Sequence, residues 1–146
     1  MEARRRGILF LCVANSARSQ LAEGIARTLA PPGVRVWSAG SKPTRVRPEA
    51  IEVLREIGID ITGHRSKSVD EIPAGEIGTV ITLCAEEECP VFLGKAQRLH
   101  WGLPDPAAVT GDGAARLEAF RMTRDDLRRR LAEFFAGGAT ENHTTA

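Results

Sequence analysis

The chain has 146 residues, 42% of them hydrophobic and 27% charged, which are ordinary proportions for a soluble globular protein. This length suits a single domain with one core. The formal net charge of +1 gives no overall field that would attract nucleic acid or a membrane surface, and no stretch approaches the ~20 apolar residues of a membrane span. Three cysteines do not match a secreted disulfide framework, so we expect a cytoplasmic protein with reduced thiols.

The first half of the chain alternates apolar runs with helical patterns. Residues 7–13 are apolar throughout and predict a central, buried strand. Residues 19–30 predict a helix with Leu21, Ile25 and Leu29 at steps of four. The elements predicted next are a short strand at 34–38, a turn at 39–43, a helix from Pro48 to Gly58 and one helical turn at 69–72.

The second half continues the alternation with weaker signals. Strands are predicted at 79–83 and 98–101, and residues 84–90 form a loop or short helix that contains Glu86, Glu87 and Glu88. The last helix begins at Asp112 or Gly113 and carries an apolar stripe of Leu117, Phe120, Leu127, Leu131 and Phe134, with Arg124 and Arg128–Arg130 on its solvated side. We expect one domain over residues 1–136 and a disordered tail at 137–146.

Strands that alternate with helices predict an α/β fold with a parallel, doubly wound sheet and helices on both faces. Right-handed crossovers place the carboxyl ends of all strands at one edge, where such folds bind ligands. The predicted strands end at Cys12, Ser38 and Cys84, and the fourth leads into Asp105. The residues with the most distinctive chemistry therefore converge on one edge of the sheet.

The segment from Cys12 to Ser19 joins the first strand to the first helix. A strand, a tight loop and a helix in this order direct backbone N–H groups and a helix dipole at one point, which attracts an oxyanion. The same field and the nearby Arg18 favour a thiolate at Cys12, and a guanidinium suits two oxygens of a phosphate-like ion. The alternative is a strand with a structural cysteine, followed by a helix that Arg18 and Ser19 open.

This octet resembles the Cys-x5-Arg loop of low-molecular-weight protein-tyrosine phosphatases and of the arsenate reductases that share their fold. The resemblance implies that Cys12 is the nucleophile, that Arg18 clamps the oxyanion and that Ser19 hydrogen-bonds the Cys12 sulfur. It also implies a left-handed turn at Asn15, which asparagine tolerates, and a four-stranded sheet of order 2-1-3-4. The residues that would hold the oxyanion are Val13, Ala14, Asn15, Ser16, Ala17 and Arg18.

The sequence Leu103-Pro104-Asp105-Pro106 resembles the Asp-Pro loop that carries the general acid in both branches of this family. Asp105 would protonate the leaving oxygen from the side opposite the nucleophile. Taken alone, this is a turn aspartate between two prolines, which is common. Because the nucleophile loop precedes it at the family's spacing, we interpret Asp105 as the acid.

Cys84 and Cys89 separate the two branches, because a reductase needs electrons and a phosphatase does not. The segments from Thr82 to Pro90 and from His100 to Pro106 resemble the thiol-relay arsenate reductases, and the resemblance extends from about Ile8 to the last helix. It implies that Cys84 attacks Cys12 and that Cys89 then takes the disulfide to the surface. The two cysteines could instead be buried side chains that only fill space, or a pair of zinc ligands. Zinc is disfavoured because the cysteines and histidines of the chain lack paired-ligand spacing.

Three features disfavour a tyrosine phosphatase. The chain has no tyrosine. Phosphatases of this fold usually have aromatic residues after the Asp-Pro, whereas Ala107 and Ala108 follow Pro106 here. They also usually have proline after the loop serine, whereas Gln20 follows Ser19, as in the reductases.

Two departures from the relay enzymes bear on the mechanism. Those enzymes commonly have a longer stretch between the last two cysteines. On an α-helix, residues five apart have Cα atoms roughly 8.7 Å apart, whereas a disulfide needs about 4.4–6.8 Å, so a helical segment here would have to unwind to oxidise. Some relatives also bind potassium, and the matching positions are Asn15, Ser38, Arg65 and Lys67. Two of these are cationic, so we expect no potassium site, with Lys67 in its place.

The sequence thus predicts a monomeric arsenate reductase of arsenic detoxification that needs no metal and no bound cofactor. Its substrate would be arsenate, with phosphate or sulfate as competitors, and its electron donor thioredoxin, a glutaredoxin or a small thiol. One alternative is a low-molecular-weight protein-tyrosine or small-phosphoester phosphatase, and weak phosphatase activity is expected in any case. Another is an oxyanion-binding regulatory module without turnover.

Overall fold

The structure, a computed structural model, describes residues 7–85, 89–92 and 94–137. In this part of the chain, four parallel strands form one sheet in the order β2-β1-β3-β4, as predicted. The strands are β1 (Gly7–Cys12), β2 (Val36–Gly40), β3 (Ile77–Thr82) and β4 (Gln97–His100), and the α-helices are α1 (Arg18–Leu29), α2 (Pro48–Arg55) and α3 (Gly113–Phe135). The predicted tail beyond Gly137 lies outside the described residues.

The sheet has a hydrophobic cluster on each face, because successive side chains of a strand point to opposite sides. Ile8 and Phe10 of β1 pack in the larger cluster, together with buried residues of all three α-helices. Leu9 and Leu11 pack in the smaller cluster, beside Ile72 and other residues. Two one-turn 3-10 helices, Val69–Glu71 and Ala74–Glu76, flank Ile72, so the second face is covered by short turns rather than α-helices. No helix in the described ranges is long and apolar enough to span a membrane.

β2 lies two residues later than the sequence predicts. Its register pairs Val36 with Ile8 and Gly40 with Cys12, so both strands end at the same edge of the sheet. A Cβ atom at Gly40 would clash with the carbonyl oxygen of Val13, so glycine permits this close approach. Hydrogen bonding to β1, rather than the local apolar pattern, therefore sets the limits of β2.

Two side chains differ from their predicted setting. Leu29 is 40% exposed, because it is the last residue of α1. Arg124 is only 8% exposed, although the charge pattern of α3 predicts a solvated residue. Its guanidinium donates to the carbonyl oxygen of Val53 (2.9 Å) and to Glu56 (2.7 Å), which satisfies the C-terminal end of α2. These partners come from a distant part of the chain and offset the cost of burying the charge.

Candidate active site

The loop between β1 and α1 is tied to the segment that follows β2. Three of its carbonyl oxygens accept hydrogen bonds from backbone N–H groups of that segment. The bonds run from Lys42 to Val13 (2.9 Å), from Thr44 to Ala14 (3.1 Å) and from Arg47 to Ser16 (3.0 Å). The C=O and N–H of a trans peptide point in opposite directions, so the N–H groups of Ala14, Asn15 and Ala17 point away from this segment. Such an array of N–H groups, next to a helix N-terminus, favours an anion.

Cys12 lies at the base of this loop and is only 2% exposed. Its Sγ is 2.9 Å from the hydroxyl of Ser19. Asn15 Nδ2 donates to the same hydroxyl oxygen at 2.7 Å, so the hydroxyl hydrogen is available to the sulfur. The Ser19 hydroxyl therefore holds the sulfur of the predicted nucleophile in position.

Asn15 organises the loop. Its φ is 49°, the positive value of a left-handed turn, and no other described non-glycine residue has a positive φ. Its Nδ2 donates to Ser38 (3.0 Å) as well as to Ser19, and its Oδ1 accepts from Gln20 Nε2 (3.0 Å) and from the Lys67 N–H (2.9 Å). The side chain is fully buried, so these bonds hold a conformation that other residues would adopt only with strain.

Arg18 and Asp105 face each other across the site. Arg18 is 4% exposed, and its Nη1 donates to the carbonyl oxygens of Leu103 (3.0 Å) and Leu83 (3.4 Å). Its Nη2 lies 4.0 Å from Asp105 Oδ2. The other oxygen of Asp105 accepts from the N–H of Ala107 at 2.9 Å, which begins a 3-10 turn, and the side chain is 40% exposed. The carboxyl group therefore has one oxygen fixed and one directed at the cationic side of the loop.

Cys84 and Cys89 form a disulfide, with a Cα–Cα distance of 5.6 Å. β3 lies beside β1, and the N–H of Leu83 donates to Leu11 O at 2.9 Å, so Cys84 follows the strand end next to Cys12. Residues 83–85 and 89–92 are not helical, and the distance is that of a bridge rather than of a helix. Glu86, Glu87 and Glu88 lie outside the described residues.

The chain resembles known proteins in both sequence and fold. The family described as "Low molecular weight phosphotyrosine protein phosphatase" matches residues 7–143. The chain belongs to this family. An arsenate reductase of Halalkalibacterium halodurans is 36% identical over 136 residues, which cover 92% of this chain and 98% of the relative.

Solved structures of arsenate reductases agree with the observed fold. "An arsenate reductase in the phosphate binding state" aligns with a TM-score of 0.74 and 35% identity, over 89% of this chain and 96% of the other. A thioredoxin-dependent arsenate reductase of Corynebacterium glutamicum aligns with a TM-score of 0.60 and 26% identity, over 90% of this chain and 64% of the other. Both the sequence relative and these structural neighbours are named as arsenate reductases.

Behind the nucleophile loop lies a buried carboxylate that the sequence analysis missed. Glu23 of α1 is 2% exposed and accepts hydrogen bonds from Ser38 and Arg27. Burial raises the pKa of Glu23, but the Ser38 hydrogen bond and the nearby positive charges outweigh it and leave the pKa below its usual value. The one feature of the sequence that indicates its burial is the position of this acid between apolar residues of α1.

A second cation beside Glu23 is Lys67, whose Nζ lies 3.5 Å from Glu23 Oε1. His64 also lies near, with Nε2 3.9 Å from Glu23 and Nδ1 3.0 Å from Gln20 Oε1, but burial lowers its pKa and favours the neutral ring. Lys67 thus supplies positive charge beside Asn15 and Ser38, where the sequence comparison expects it. Arg65 lies apart, in an exposed ion pair with Glu71. Among the described residues, no group of three or more His, Cys, Asp and Glu could hold a metal ion.

Proposed function

We propose that this protein reduces arsenate to arsenite through a thiol relay of Cys12, Cys84 and Cys89. The observation that carries the proposal is the Cys84–Cys89 disulfide, at the strand end next to a buried cysteine in an anion-binding loop. A hydrolase of this family needs the loop and an acid, but it has no use for a second and third thiol. The arsenate reductase relatives support this substrate.

In the first step, the Cys12 thiolate attacks arsenic and forms a sulfur–arsenic bond. Arg18 and the loop N–H groups stabilise the charge on the arsenate oxygens, and Asp105 protonates the oxygen that leaves as water. Arsenic remains in the +5 state, because this step exchanges one ligand for another.

The next step moves the electrons. The Cys84 thiolate attacks the Cys12 sulfur, the electron pair of the sulfur–arsenic bond passes to arsenic, and arsenite leaves. The two thiols are oxidised to a Cys12–Cys84 disulfide. Cys89 then attacks Cys84, releases Cys12 as a thiolate and forms the Cys84–Cys89 disulfide. The disulfide of the structure is the state that this sequence of steps would leave.

A thiol donor must reduce this disulfide before the next turnover. We propose thioredoxin, because a structural neighbour is thioredoxin-dependent, with a glutaredoxin or small thiol as the other candidate. Such a cycle suits a monomeric cytoplasmic enzyme of arsenic detoxification, since it needs a reducing compartment.

A phosphatase is the second candidate, because the nucleophile, the cationic clamp and the acid are all present. Phosphate shares the shape and charge of arsenate, so we propose a weak activity toward small aryl phosphates. Ala107 and Ala108 follow Pro106 in the acid loop, and they offer no aromatic surface to a phosphotyrosine ring.

The experiment is arsenate-dependent oxidation of NADPH, coupled once through thioredoxin and its reductase and once through glutaredoxin, glutathione and glutathione reductase. The proposal predicts turnover in at least one system and a strong preference for one of them. Hydrolysis of a small aryl phosphate, without any arsenate-dependent oxidation in either system, would favour the phosphatase instead.

A further inference from the structure

His100 lies at the end of β4, in register with Thr82 of β3. Its Nδ1 is 2.6 Å from the Thr82 hydroxyl oxygen, which is also 3.4 Å from the carbonyl oxygen of Leu99. The shorter contact engages Nδ1, whichever of the two atoms carries the hydrogen, and it fixes the orientation of the ring. This arrangement leaves Nε2 as the ring nitrogen outside that hydrogen bond.

The Nε2 atom faces the turn that contains Cys84. A Cβ atom at Gly102 would lie 3.1 Å from His100 Nε2 and 3.3 Å from the carbonyl oxygen of Cys84. Glycine therefore leaves space between the imidazole edge and the backbone of Cys84, which a larger residue at this position would fill.

His100 also lines a groove of about 480 Å³ beside the redox segment. Thr82 and Leu99 contribute one side of the groove, and Pro90 and Val91, which follow Cys89, contribute another. Of the described groove residues, the ionisable ones are His100 and Arg98, and Arg98 donates to the carbonyl oxygen of Gly94 at 2.7 Å. The groove thus places the imidazole of His100 beside the segment that follows Cys89.

The disulfide has one accessible sulfur and one buried partner. Cys84 is 1% exposed, whereas Cys89 is partly exposed, so an incoming thiolate attacks the Cys89 sulfur. The Cys84–Cys89 bond breaks, its electron pair goes to the Cys84 sulfur, and a mixed disulfide forms between the donor and Cys89. The donor's second thiol then resolves that mixed disulfide. The Cys84 thiolate is left in a buried setting, which favours the protonated thiol.

We propose that His100 supplies this proton, so that the imidazolium acts as the acid for departure of Cys84 and the neutral ring results. The inference rests on the proposed function, in which the disulfide is reduced once per turnover. Asp105 lies 4.0 Å from Arg18 and, in the proposed function, acts in the Cys12 step. Histidine is the side chain that ordinarily exchanges a proton between pH 5 and pH 8, so it suits a thiol exchange near neutrality.

The test uses the full-length protein oxidised at Cys84–Cys89, with dithiothreitol and then reduced thioredoxin as the donor and no arsenate present. Reduction of the disulfide is followed from pH 5.5 to 8.5 for the wild type, His100→Ala and Arg98→Gln. The wild-type to variant ratio at each pH cancels the donor's own ionisation. For His100→Ala we expect a ratio of roughly 10–100 at the acidic end that falls toward one at the basic end. For Arg98→Gln we expect a ratio near one throughout.

Added imidazole should restore much of the lost rate in His100→Ala, because the side chain is exposed and the ring can enter from solvent. Thr82→Val should lower the rate, and Thr82→Ser should keep it, since serine retains the hydroxyl that orients Nδ1. A pH-independent ratio for His100→Ala without imidazole rescue would overturn the proposal, and so would a wild-type rate in that variant. Because arsenate is absent, these outcomes are independent of whether the protein reduces arsenate.

Discussion

The two cysteine-bearing strand ends of this protein are built in opposite ways. At the end of β1, Cys12 and Asn15 are at most 2% exposed, and hydrogen bonds with Ser19 hold both side chains. After β3, Cys84 is buried but Cys89 is partly exposed, and Val91 is 71% exposed. An anion site depends on donors held in place before the ligand arrives. A disulfide that must reach a donor needs a segment that can rearrange at little cost.

The largest expected effect is a loss of activity without a loss of stability when the cysteine at the end of β1 is replaced. Cys12→Ser removes the nucleophile, and we expect arsenate reduction and aryl phosphate hydrolysis both to fall by roughly 10³-fold or more. The Ser19 hydroxyl would keep a hydrogen-bond partner, so the melting temperature should change little. Activity assays and thermal unfolding of the same preparation check this, and retained hydrolysis would remove Cys12 from the mechanism.

Cys84→Ala should break only the second half of the mechanism. Arsenate turnover should fall by about 100-fold or more, because no thiol is left to attack Cys12, whereas phosphate ester hydrolysis should remain largely intact. Parallel assays of both activities measure this difference.

Cys89→Ala is the matched variant, since it should still release arsenite in a single turnover and then stop with a Cys12–Cys84 disulfide. An equal loss of both activities in Cys84→Ala would mean that Cys84 is structural rather than redox-active.

Asn15→Ala should lower the free energy of unfolding by about 2–4 kcal/mol, because Asn15 holds the loop after β1 in place. Alanine disfavours the positive φ of 49°, and its side chain leaves the N–H of Lys67 without its acceptor. Urea unfolding measures the loss. Asn15→Gly tolerates the positive φ, so it should cost less than Asn15→Ala, and equal losses in the two variants would argue against this account.

Because of Glu23, the free energy of unfolding should depend on pH below 4.5, the usual pKa of a glutamate side chain. Its pKa is lowered in the folded protein, so its contribution is present above the unfolded pKa and is lost as the pH falls through the folded pKa. Glu23→Gln should flatten that part of the profile in urea unfolding between pH 3 and pH 6. The exposed Glu133→Gln serves as the control, and a wild-type slope in Glu23→Gln would contradict the role given to the carboxylate.

The smallest effect is expected in the redox segment. Val91→Ser should change the free energy of unfolding by no more than about 0.5 kcal/mol, because most of the side chain is already exposed. Leu11→Ala, at the fully buried end of β1, should cost about 2–5 kcal/mol. Comparable losses for the two variants would show that the segment is as tightly packed as the strand.

The sequence predicts features that depend on local pattern. The apolar run before Cys12 gives β1, the periodicity of residues 113–135 gives α3, and parallel alternation brings Cys12, Cys84 and Asp105 to one edge. The family resemblance predicts the strand order, which the structure confirms. These predictions succeed because hydrophobic period and strand direction are set by nearby residues.

The features that the sequence does not predict depend on partners far along the chain. Arg124 is buried because Val53 and Glu56 accept its hydrogen bonds, and no pattern within α3 records that pairing. Glu23 is buried because Ser38 and Lys67, from other parts of the chain, surround it. The position of β2 depends similarly on its register with β1.

The most direct test of the central claim is a single turnover of fully reduced protein with excess arsenate and no electron donor. Acid-quenched samples are analysed for arsenite and, by mass spectrometry of peptides, for disulfides. We predict arsenite in an amount close to that of the protein, with a Cys12–Cys84 bridge that appears first and a Cys84–Cys89 bridge that replaces it. Arsenite formation with both Cys84 and Cys89 still reduced, or no arsenite at all, would contradict the relay.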